Sequence, residues 1–104
     1  MKVVLDTNIY LSAFLFRGTA AKAFEKCVVY HEIYISRWIL DEIQEKLADK
    51  FQLSADEIEE ILIEILKPAQ LVQPTNPLPT ACKDADDNNV LQLAEFVSAI
   101  PDYW

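Results

Sequence analysis

Lys2-Val3-Val4-Leu5-Asp6-Thr7-Asn8 decides the fold. Lys2 to Leu5 reads as a short buried strand, because β-branched Val3 and Val4 pack well on a pleated surface. A carboxylate, a hydroxyl and an amide follow at once. A strand that runs straight into Asp6 places an acid at its carboxyl end, and in open α/β sheets ligands bind at that edge. Asp6 or Thr7 capping the next helix is the plainer reading of the same residues.

Working outward, Ile9 to Phe16 is densely apolar and reads as a short buried helix, broken at Arg17-Gly18-Thr19. Thr19 then caps a helix from Ala20 to about Val29, with Ala23, Phe24, Cys27 and Val28 on its inner face. Glu32 to Ile35 reads as a second strand. Ser36 opens a helix from Arg37 to about Phe51, with Ile39, Leu40, Ile43 and Leu47 as its apolar stripe. Glu42 borders that stripe, while Asp41, Glu45 and Asp49 are spaced as a solvated face. Ser54-Ala55-Asp56-Glu57 is a capping-box pattern. It starts a helix over Ala55 to Leu66 with Ile58, Ile61, Leu62 and Ile65 inward. Ala69 to Val72 reads as a third strand, and a proline-stiffened loop follows.

Asp84-Ala85-Asp86-Asp87-Asn88 then precedes Val90, Leu91, Leu93, Ala94 and Val97 at helical spacing. The helix dipole favours one or two acids in a first turn. Three carboxylates within four residues exceed that need and repel one another without a compensating cation. A metal site is the expectation.

Composition narrows the alternatives. A chain of 104 residues with 52% hydrophobic residues is one domain, residues 1–104, with a core of its own. The single glycine, Gly18, cannot build a phosphate-cradling loop. No apolar run of about 18 residues predicts a membrane span, and no secretory leader opens the chain. Cys27 and Cys82 follow no metal-ligand spacing and fit free thiols in a reducing cytoplasm. The net charge of −8 opposes broad electrostatic binding of nucleic acid. It suits a protein that gathers divalent cations or meets a basic partner. A phospho-acceptor receiver domain needs an acid after the third strand, where Val72-Gln73-Pro74 stands.

Strand, Asp6-Thr7-Asn8, an acidic helix after Ser36, then Asp84-x-Asp86-Asp87-Asn88 opening a helix together resemble the PIN domain. The resemblance runs from Met1 to about Ser98 and is greatest to the PIN-type toxins of prokaryotic toxin–antitoxin pairs. It implies a three-layer α/β/α fold with a small parallel sheet, and a metal-dependent ribonuclease. It implies Mg²⁺ or Mn²⁺ held by Asp6, Glu42, Asp87 and the accessory Asp84. Asp6, Glu42 and Asp87 take the catalytic positions, and Thr7 and Asn8 orient the first carboxylate. RNA is the implied substrate, an antitoxin an implied partner, and the cytoplasm the implied location.

Members of that family continue into a fourth strand and a further acid, where this sequence ends at Asp102-Tyr103-Trp104. The resemblance therefore implies a truncated domain lacking the C-terminal strands, with one carboxylate fewer. A frameshift is one expected origin, because Asp-Tyr-Trp encoded as GAT TAC TGG reads Ile-Thr-Gly one base later; downstream DNA without a continuation in any frame ends that idea. The first strand is then expected to expose Val3 and Leu5 along an edge, which favours a homodimer or a swapped arrangement. A catalytically inactive remnant that oligomerises or binds an antitoxin is the alternative.

Overall fold

A computed structural model describes residues 1–16, 18–82 and 85–100, without the side chains of Ala85 and Asp86. The order is β1 (Lys2–Val4), α1 (Thr7–Leu15), α2 (Thr19–Tyr30), β2 (Glu32–Ser36), α3 (Arg37–Asp49), α4 (Ala55–Leu66), β3 (Ala69–Val72) and α5 (Ala85–Ser98). The strands form one parallel sheet in the order β1-β2-β3. Val3 pairs with Ile33 and Val4 with Tyr34, while Ile35 pairs with Leu71 and Ser36 with Val72. All carboxyl ends therefore lie on one edge. Among the described residues this is an α/β fold with five helices about a small parallel sheet.

Local chemistry sets the helix starts. Asp6 caps α1, its carboxylate accepting from the Ile9 amide at 3.0 Å. Ser36 caps α3 through the Ile39 amide at 3.3 Å. The capping box on α4 is complete: Ser54 Oγ accepts from Glu57 N at 3.2 Å, and Glu57 accepts from Ser54 N at 3.1 Å. Gly18 sits at φ 146°, where an L side chain would be strained, and stands just before α2. It takes the cap position expected of Thr19, which becomes the first helical residue.

The core gathers Ile33, Tyr34 and Ile35 of β2 with Ile39, Leu40, Ile43 and Leu47 of α3. Ile58 and Ile65 enter from α4, and Leu93 and Val97 from α5. Ile61 and Leu62 are only half-buried. The expected inner face of α2 is corrected in part. Phe24 is buried and Cys27 half-buried, but Ala23 and Val28 are exposed. Phe24 meets Tyr10 and Phe14 edge-on, with centroids 5.9 and 5.3 Å apart. Those contacts turn α2 so that the half-buried Ala20 and Ala21, rather than Ala23 and Val28, complete its inner stripe. Burial pushes the Tyr10 hydroxyl well above the usual phenol range, and the neighbouring Cys27 adds to the shift.

β1 is an edge strand, as expected, yet Val3 and Leu5 are half-buried rather than exposed. For Val3 the reason is α5, which packs against β1. A groove of about 430 Å³ lies between them, with Val3, Val4, Ala94, Val97 and Ile100 in its lining.

Candidate functional site

The candidate residues come from three elements, the turn after β1 with the start of α1, α3 and α5. Asp6 stands two residues after the end of β1 and is exposed. Its Oδ1 is engaged by the Ile9 amide, so the cap and the ligand readings apply to one side chain. Thr7 is buried at 3% exposure in the first turn of α1. Its hydroxyl donates to Glu42 Oε1 on α3, across 35 residues of chain. The resemblance makes Thr7 an orienting residue for the first carboxylate; the structure gives its hydroxyl to the second. Asn8 is exposed in the same turn.

Glu42 is half-buried, as its place beside the apolar stripe predicts. The packing of α1 on α3 carries Thr7 to it. A hydroxyl bonded to a partly desolvated carboxylate is worth roughly 1.5–3 kcal/mol. The bond also restricts the carboxylate to one orientation. Ser36, buried at the start of α3, fixes where that helix leaves β2.

Asp87 is exposed in the first turn of α5, the helix that touches β1, β2 and α3. Asp84 lies outside the described residues, as does the side chain of Asp86. Asn88, between Asp87 and the core, was given no role by sequence reasoning. It is 9% exposed and makes paired bonds to one residue. Its Oδ1 accepts from Cys82 N at 2.9 Å and its Nδ2 donates to Cys82 O at 3.3 Å. Four residues further along α5, Gln92 exchanges bonds with Asn76: Gln92 Nε2 donates to Asn76 O at 2.7 Å, and Asn76 Nδ2 donates to Gln92 O at 3.1 Å. The loop before α5 is thus tied to that helix twice.

The structure joins Thr7 to Glu42 and keeps Asp6 next in sequence to that pair. Among the described residues, no three His, Cys, Asp or Glu side chains come together as a group able to hold a metal ion. The donors are nonetheless of the right kind. Asp6, Glu42 and Asp87 offer only oxygen, the ligand type that hard Mg²⁺ and Mn²⁺ take.

A groove of about 380 Å³ runs beside Glu42. Its described lining is one stripe of α3: Trp38, Asp41, Glu42, Glu45 and Lys46. Trp38 had no place in the site read from sequence. Its spacing of four residues before Glu42 was the available signal, since positions i and i+4 share a helix face.

A family model described as "PIN domain" matches residues 2–99. No curated protein and no solved structure matches the chain.

Proposed function

The chain belongs to the PIN-domain family, and from that membership we propose that it is a divalent-metal-dependent ribonuclease. Family membership suggests nuclease-type chemistry; the observation that supports this site for it is the Thr7–Glu42 bond at the sheet edge that also carries Asp6. Asp6 and Asp87, with the accessory Asp84, would hold Mg²⁺ or Mn²⁺. A metal there supplies a more acidic water and offsets charge on the phosphoryl group under attack. Glu42, pinned by Thr7, is the proton acceptor for the attacking water. Asp6 spends one oxygen on the Ile9 amide, which fixes its rotamer before any ligand arrives.

Cleavage of a mixed single-stranded RNA tests the reading. Mn²⁺- or Mg²⁺-dependent cleavage that EDTA stops, and that added metal restores, is the expected result. Cleavage that is indifferent to EDTA, or none with either metal, removes the proposal.

The toxin setting extends this reading through the chain's partners. A net charge of −8 suits a basic antitoxin. Among the described residues β1 lies at the edge of the sheet, and a sheet edge is a place where a second copy can add. Light scattering at high concentration is expected to give a homodimer, and a monomer at every concentration contradicts it. No helix among the described residues is long and apolar enough to cross a membrane.

A further inference from the structure

We propose that the groove along α3 binds single-stranded RNA, with one base stacked on Trp38. This deepens the ribonuclease reading and rests on it for the choice of RNA. Trp38, Glu42 and Lys46 recur at intervals of four residues, so they share one face of the helix. Each step along that face advances about 6 Å. The groove they line is about 380 Å³, which suits a nucleotide-sized occupant rather than a whole duplex.

The side chains differ in what they offer. Trp38 is half-buried, packed on the core and also part of the groove wall. An indole held in this way is a rigid surface that loses little entropy when a base lies on it. Stacking of a base on an aromatic side chain tolerates any base, since every base has a π-face. It requires an unpaired base, which is why the occupant is single-stranded. Lys46 is the cationic member of the described lining and is placed for a phosphate one nucleotide or more away. Three acids, Asp41, Glu42 and Glu45, also line the groove. Arg37 Nε lies 3.1 Å from Asp41 Oδ1 and offsets that one, so RNA binding here needs Mg²⁺ and the stacking contact to outweigh the remaining repulsion. Glu42 belongs to both the groove and the site at the sheet edge. A strand stacked at Trp38 is thereby delivered beside the carboxylates.

The test uses the full chain carrying Asp6→Asn, so that RNA stays intact, with Mg²⁺ present. Fluorescence anisotropy reads binding of a labelled uridine oligomer and of the same oligomer with abasic positions. Stacking predicts that the intact oligomer binds on the order of tenfold tighter than the abasic one. Trp38→Ala should erase that preference, and Trp38→Phe should keep most of it. The preference is a ratio, so a lower folded fraction in Trp38→Ala leaves it unchanged. Equal binding of the two oligomers by the parent, an unchanged preference in Trp38→Ala, or no RNA binding by the parent overturns the proposal. Cleavage by the wild-type chain is scored separately. Base preference without cleavage sinks the nuclease reading alone, and cleavage without base preference sinks the stacking alone.

Discussion

Asp6→Asn is expected to lower metal-dependent RNA cleavage by at least about a hundredfold while leaving the fold intact. The substitution separates the two duties of this side chain. Asparagine caps a helix about as well as aspartate, so the bond from the Ile9 amide to the position-6 side chain survives. The anionic charge that a hard cation requires is lost. Unfolding in urea should therefore shift by less than about 1 kcal/mol, the remaining cost being the lost interaction of the charge with the helix dipole. Asp6→Ala removes the cap as well and should cost about 1 kcal/mol of stability in addition to the activity. Full cleavage by both variants would reduce Asp6 to a cap.

The second large effect is on stability. Ile35 is fully buried on β2, the strand between β1 and β3. It immediately precedes Ser36, from which α3 and Glu42 depart. Truncation to alanine leaves a cavity in a close-packed core and should cost about 2–5 kcal/mol. Alanine also fits a pleated strand less well than isoleucine. Domains of this size are stable by only about 5–15 kcal/mol in total. Ile35→Ala should therefore lower the urea midpoint sharply and weaken activity through the unfolded fraction. Ile35→Val keeps the β-branch and should cost about 0.5–1.5 kcal/mol. An alanine variant within about 1 kcal/mol of wild type, by circular dichroism in urea, contradicts the assigned core.

Periodicity and capping made most of this architecture legible. Ile39, Leu40, Ile43 and Leu47 repeat at helical spacing and are all buried. Ser54 and Glu57 satisfy each other's backbone as their spacing implies. β3 falls on the residues its pattern indicates. Each of these features is local, so nearby residues are enough to specify it.

The misread parts depend on tertiary packing. Val3 owes its partial burial to α5, more than 80 residues later in the chain. The face of α2 turns toward Phe14 and Tyr10, which no pattern within α2 records. The same distinction holds at the site. Asp6 and Asp87 stand out because acids follow a strand or crowd a helix start. Thr7 bonding Glu42, and Asn88 tying down Cys82, are pairings of ordinary residues that only the folded chain brings together.

Asp6 is the proposed ligand of a divalent cation at the carboxyl edge of the sheet. Titration of Mn²⁺ into the wild-type chain and Asp6→Asn, followed by the electron paramagnetic resonance signal of free Mn²⁺, tests it most directly. Saturable uptake by the wild-type chain, weakened at least about tenfold in the variant, is the expected result. Equal uptake by the two proteins, or none by either, would contradict it.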